Sequence, residues 1–241
     1  MNDTNNAAGS DCQERLVLPG VELYLGDSLE IAPNLHGVDA IVTDPPYGIG
    51  WVPIPPQPVH GTKSMCSFVS DTAIMGDEKP FDPRPWLGYS KVCLWGANHY
   101  SDKLPTRSGW LIWDKRDSTG RRRQSDCEIA WTSNDGAARV FNYLWMGIYQ
   151  AGEKGKRLHQ NQKPVTLMNW CLDEMDIPEG ATVLDPYMGS GSTIIAAIRT
   201  GRKAIGIEKD PAHFKTACER IKRELAQGDL FLGQNVKHMH H

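Results

Sequence analysis

The sequence predicts an α/β protein built on a doubly wound, mostly parallel sheet with an antiparallel edge. Six short apolar runs, each closed by turn residues, have the continuous hydrophobicity of strands covered on both faces. Amphipathic patterns of helical period lie between or after several of them, and strand alternating with helix is the signature of a sheet wound in both directions. A chain of 241 residues with 40% hydrophobic content suffices for one such unit with a full core.

The strand runs are Val21 to Leu25, Asp39 to Thr43, Lys91 to Gly96, Gly109 to Trp113, Ala181 to Leu184 and Lys203 to Ile207. Val165, Met168, Leu172 and Met175 fall on one helical face, as do Phe214, Ala217, Ile221 and Leu225. Asp126 to Gly147 reads as a pair of strands forming the antiparallel edge. Gly50 to Pro85, rich in Pro, Gly and Ser, is too long for an ordinary connection and reads as a functional loop. From about Gly233 the chain reads as a loose tail, which takes no part in the site argument.

Composition narrows the classes. No apolar run approaches the ~18 residues needed to cross a membrane, and the polar N-terminus has no signal-peptide core, so a cytoplasmic protein without membrane contact is expected. The six cysteines are scattered with no C-x-x-C pair or Cys/His spacing, which points to free thiols and no metal. The net charge of −3 is unevenly spread: Lys115 to Arg123 carries five basic residues against one acid, and Glu153 to Lys163 carries four against one. Such loops suit a phosphate-facing surface, or are simply solvated.

Ala181 to Thr193, ATVLDPYMGSGST, reads as a strand, an acid, a Gly-x-Gly turn and a helix start, with Ser192 and Thr193 able to cap the helix. No lysine follows Gly191, which argues against an NTP cradle, and Ile194 stands where a dinucleotide fingerprint has its third small residue. The next strand ends on Glu208, an acid placed to accept from ribose hydroxyls. Ribose without pyrophosphate is what S-adenosylmethionine presents. Its methionine end would lie across the turn, with Asp185 near the ammonium and helix-start amides available to the carboxylate.

The second motif is Asp44-Pro45-Pro46-Tyr47, directly after the apolar DAIVT run. Asp44 then sits at the carboxyl edge of the sheet, where ligands bind. Pro46 holds Pro45 extended, which fixes the direction of the Pro45 carbonyl. An acid oxygen, a fixed carbonyl and an aromatic face match an NH₂ group on a nucleic-acid base. Alone, the tetrapeptide could equally be a turn; its company with the glycine turn favours the chemical reading.

These two motifs resemble those of the amino-group DNA methyltransferases. Asp44-Pro45-Pro46-Tyr47 looks like their target-amine motif, and Asp185-Pro186-Tyr187-Met188-Gly189-Ser190-Gly191 looks like their S-adenosylmethionine turn, with Tyr187 in place of the common Phe. The order, amine motif first, resembles the circularly permuted β group with a Rossmann-like class I fold. Leu25-Gly26-Asp27-Ser28 is similar to the family's early GD turn, which implies Asp27 near the adenine ring of the cofactor. His159 to Pro164 looks like the family's HPTQKP segment, departing at Gln160 and Asn161; Lys163-Pro164 is the matching part and implies Lys163 at the methionine end.

The resemblance implies one methyltransferase domain over residues 1–241, with residues 50–90 and 115–160 as inserts for DNA contact and target recognition. It implies catalysis by Asp44, Pro45, Pro46 and Tyr47, and cofactor binding by Asp27, Lys163, Asp185, Pro186, Tyr187, Gly189, Gly191, Ser192 and Glu208. Double-stranded DNA is the expected partner, contacted by Arg121, Arg122, Arg123, Lys154, Lys156 and Arg157; a homodimer and a cognate restriction endonuclease are further implied partners. Asp at the first motif position resembles the N6-adenine members, with N4-cytosine as the alternative target and an inactive cofactor- or DNA-binding module as the alternative class. No proline is followed by cysteine, which excludes the thiol chemistry of C5-cytosine methylation.

Overall fold

Strand parity in this chain is unambiguous. In β3 (Ala40–Thr43) and β4 (Lys91–Trp95), Ala40, Val42, Cys93 and Trp95 join one core cluster while Ile41, Val92 and Leu94 join another. Both faces are therefore covered, as the unbroken apolar runs require. Each fully buried aliphatic side chain here, such as Ile41 or Leu94, contributes roughly 1.5–3 kcal/mol by leaving water. The computed structural model describes residues 12–50, 75–116, 125–146, 149–150 and 162–237.

The chain opens with a hairpin, β1 (Glu14–Leu18) and β2 (Val21–Leu25), followed by the short helix α1 (Ser28–Ile31). After β3 and β4 come β5 (Trp110–Asp114), β6 (Cys127–Thr132), β7 (Arg139–Asn142) and a two-residue pair, β8 (Trp145–Met146) with β9 (Tyr149–Gln150). Helix α2 (Val165–Glu174), β10 (Thr182–Asp185), α3 (Ser192–Arg199), β11 (Lys203–Glu208) and α4 (Pro211–Lys237) complete the described elements.

Among the described residues the main sheet has nine strands in the order β1-β2-β11-β10-β3-β4-β6-β5-β7. The run from β2 to β4 is parallel throughout. Helices α2, α3 and α4 pack on one face through Leu167, Ile194 and Phe214. The other face is covered by α1, by short 3-10 turns at Arg84–Trp86 and Ala97–His99, and by the aromatic residues Phe81, Trp86 and Tyr100. Large rings replace a second helical layer there.

Three local expectations change. The two strands after Asp126 exist but do not pair with each other: β6 lies between β4 and β5, antiparallel to both, and the edge strand β7 runs parallel to β5. Alternation shows that a strand exists, while its neighbour is chosen by packing. The antiparallel edge is instead β1, whose mixed ERLVL sequence has the partial exposure of an outer strand. Residues 233–237 continue α4 rather than forming a loose tail. That helix is well begun, with Pro211 as its first residue and Asp210 Oδ1 accepting from the amides of Ala212 and His213, and a started helix propagates cheaply.

Candidate active site

Parallel strands bring their carboxyl ends to one edge, and the order β2-β11-β10-β3 places four acids there in sequence. Asp27 follows β2, Glu208 ends β11, Asp185 ends β10 and Asp44 follows β3. Neighbouring strands are ~4.8 Å apart, so Glu208 and Asp44 stand about 10 Å from one another across Asp185. The residues of both sequence motifs therefore share one crevice.

At its cofactor end the backbone does much of the holding. One oxygen of Glu208 accepts from Gly189 N at 2.9 Å and the other from Asp210 N at 2.8 Å, which orients the carboxylate and leaves lone pairs for hydroxyl donors. Burial raises the Glu208 carboxyl above its ordinary range, against the pull of those amides. Gly189 has φ of +50°, and a Cβ there would meet nothing within 4 Å, so the turn faces open space.

Asp185 is buried and accepts from Thr43 Oγ1 at 2.6 Å and Tyr187 N at 3.1 Å. Desolvation pushes its pKa up to about 6, opposed by these bonds and by one from Thr193. Asp27 caps α1, taking Leu29 N at 2.9 Å, and pairs with Lys209 at 2.8 Å. Desolvation opposes the shift, but the Lys209 and Leu29 bonds prevail and lower its pKa. Tyr187 packs edge-on against Phe81 and Trp86. The capping role expected for Ser192 and Thr193 does not hold: both are helical, and the cap position of α3 is Gly191, at φ 80°. Ser192 Oγ instead accepts from Arg220 at 3.0 Å.

At the amine end, Asp44 retains 20% side-chain exposure. Its Oδ1 accepts from the Tyr47 hydroxyl at 2.6 Å and its Oδ2 from Lys163 Nζ at 2.5 Å. No described residue donates to the Pro45 carbonyl, which remains available as an acceptor. The Tyr47 ring stacks on His99 with centroids 4.9 Å apart and planes 15° apart. Gly96, at φ +71°, is placed so that any Cβ would overlap the Tyr47 ring. Asp77 Oδ1 accepts from Gly48 N and Ile49 N at 2.7 and 3.2 Å, pinning the chain just after the motif.

Lys163 is nearer the amine end than the sequence resemblance implied. Its ammonium lies between Asp44 and Glu128, 2.7 Å from Glu128 Oε2. Sequence reading missed Glu128, Asp77, His99 and Gly96, because an acid within a strand or an isolated histidine carries no local pattern. Arg121, Arg122, Arg123, Lys154, Lys156 and Arg157 lie outside the described residues.

Comparison with known proteins matches the DNA methylase family, N6_N4_Mtase, over residues 101–219. Over those residues, just under half of its length, the chain is similar to that family. Type II methyltransferase M2.LlaDCHI of Lactococcus lactis subsp. cremoris is 29% identical over 119 residues, 49% of this chain and 43% of the relative. Type II methyltransferase M2.DpnII of Streptococcus pneumoniae is 30% identical over 115 residues, 47% of this chain and 42% of the relative. The chain thus spans less than half the length of these relatives.

Among solved structures, M1.HpyAVI crystallised with SAM has a TM-score of 0.50 at 23% identity, covering 83% of this chain and 99% of that one. The cytosine-N4-specific PvuII DNA methyltransferase has a TM-score of 0.52 at 14% identity, covering 88% and 89%. Both share the fold. Asp27 and Asp44 to Tyr47 precede the matched family segment, so their role rests on their position in this crevice.

Proposed function

We propose that the protein transfers a methyl group from S-adenosylmethionine to the N6 amine of adenine in duplex DNA. The observation that carries this reading is the placement of Asp44, with the Pro45 carbonyl beside it, on the strand next to Asp185 and the Gly189 turn. Glu208 would receive the ribose hydroxyls, Asp185 the ammonium, Asp27 the adenine side, and Tyr187 the cofactor's flank. Pro186, Gly189, Gly191 and Ser192 shape the turn. The cofactor supplies an electrophilic methyl group on sulfonium sulfur.

The protein's part is to expose and aim a weak nucleophile. An exocyclic amine is stacked and paired inside a duplex, so the base is flipped out and held against Tyr47. Asp44 Oδ1 and the Pro45 carbonyl each accept one N–H, which localises the nitrogen lone pair and directs it towards the methyl group. Once the nitrogen has gained the methyl group it would carry an excess proton, which Asp44, already accepting one of its N–H bonds, would take and pass to water. Because Tyr47 OH occupies Asp44 Oδ1, the incoming amine displaces that hydroxyl.

Asp rather than Ser at the head of the motif supports adenine. The basic residues Arg121 to Arg123, Lys154, Lys156 and Arg157 would contact DNA phosphates, giving an affinity that falls steeply with salt. The motif order supports a circularly permuted chain. The names of the type II relatives support a cognate restriction endonuclease, and a homodimer follows from the resemblance alone.

Incubation with S-adenosylmethionine and duplex DNA, followed by nucleoside mass spectrometry, tests this. N6-methyladenine is expected; N4-methylcytosine overturns the choice of base, and cofactor binding without any methylated nucleoside overturns transfer.

A further inference from the structure

Asp44 sits at one end of a chain of alternating charges. Lys163 Nζ lies 2.5 Å from Asp44 Oδ2 and 2.7 Å from Glu128 Oε2, and Glu128 Oε1 accepts from Lys115 Nζ at 2.9 Å. The Lys163 side chain is 9% exposed. These groups come from the ends of β3 and β5, from β6, and from the approach to α2. An ammonium held between two carboxylates at this depth cannot swing to a ligand without leaving the half-buried Asp44 with no cation, which is costly.

We propose that Lys163 and Glu128 are positioning residues for Asp44. Lys163 fixes one carboxylate oxygen so that the other faces the target amine, and Glu128, tethered by Lys115, fixes Lys163. This rests on the proposed function for its purpose, though not for its geometry. It reassigns Lys163 from the cofactor to the amine end of the crevice, and gives a role to a strand acid that no motif contains.

The charges facing Asp44 make the assignment testable. Besides Lys163 and Glu128 they are the hydroxyls of Tyr47 and Tyr100 and the carboxyl of Asp185. Burial raises the Asp44 pKa; Lys163 then lowers it and Glu128 raises it. Removing Lys163 therefore moves the Asp44 titration to higher pH, and neutralising Glu128 moves it to lower pH. Opposite signs show that both charges act on Asp44; the turnover readout below then separates positioning from a bridge that only holds strands together.

The experiment is carboxyl-carbon NMR titration of the full chain without cofactor, in the wild type, Lys163→Gln and Glu128→Gln. Opposite displacements of about one pH unit are expected. Displacements of the same sign, or none, overturn the proposal. Should Lys163→Gln not fold, the downward displacement in Glu128→Gln decides alone.

Turnover on duplex DNA adds a second readout. Lys163→Gln should lower kcat about 100-fold with cofactor Kd unchanged, and Lys163→Arg should recover part of it; a tenfold weaker cofactor Kd with kcat intact would return Lys163 to the cofactor. If the wild type transfers no methyl group, the proposed function fails, while the Asp44 titration still shows whether Lys163 and Glu128 act on Asp44 as the geometry requires.

Discussion

Thr43 Oγ1 donates to Asp185 Oδ1 at 2.6 Å, joining the end of the strand that carries the amine motif to the end of the strand that carries the cofactor turn. The two residues are 142 positions apart in sequence and adjacent in the sheet. Their bond is one reason the two halves of the crevice keep a fixed relation.

Asp185 makes that relation pH-dependent. Burial lifts its pKa from 3.8 to about 6. The folded state then binds the proton more readily than the unfolded one, so this group's contribution to stability is complete below the ordinary carboxylate range and is lost as pH rises through about 6. Cofactor binding runs the other way, because an ammonium pairs with the ionised acid. Calorimetry should show affinity falling below pH ~6, approaching tenfold per pH unit. Thr43→Val, which removes a bond to the charged form, should move that limb to higher pH.

Asp44→Ala should bind S-adenosylmethionine as the wild type does, since the proposed mechanism gives this acid to the amine. Transfer should fall by at least ~100-fold, the scale for removing one oriented group at the reacting centre. Filter binding of labelled cofactor beside a methylation assay measures both. Normal turnover in this variant would sink the mechanism.

In the proposed mechanism Tyr47 serves by its ring, and its hydroxyl, which donates to Asp44 Oδ1, competes with the target amine. Tyr47→Phe should therefore keep kcat/KM at or above the wild-type value. Tyr47→Ala should lose about 1–3 kcal/mol of base stacking, roughly 5- to 150-fold in kcat/KM. Steady-state kinetics on a short duplex distinguishes the two; equal losses would place the importance in the hydroxyl.

Gly96→Ala strikes the same ring from beneath. The new Cβ would overlap Tyr47, and φ of +71° disfavours any side chain. Its cost should appear as lost turnover with cofactor affinity unchanged, because the side chain an added Cβ would strike is Tyr47, placed at the target base by the proposed mechanism.

Asp210→Ala tests the fold rather than the chemistry. Losing the cap on α4 should cost about 1 kcal/mol and lower Tm by roughly 2–4 °C. Thermal melting followed by circular dichroism measures it.

Much of the parallel core was legible because its signals are local. A buried parallel strand needs an unbroken apolar run, and β2, β3, β4, β5, β10 and β11 match the predicted runs to within a residue or two at each end. β1 escaped because an outer strand with exposed positions has no such run. The insertion of β6 between β4 and β5 was invisible for another reason: strand existence is periodic, whereas strand partnership depends on surfaces remote in the chain.

The same division holds in the crevice. By itself the sequence determined the glycine turn, the acids at strand ends and the stiff amine motif, because each is a short pattern whose chemistry lies within a few residues. Only the tertiary structure brought Lys163 to Asp44 across 119 positions and Glu128 to Lys163. Complementary charges leave no trace in local periodicity; they find one another because burial makes an unpaired charge costly, and only the packed sheet settles which are buried together.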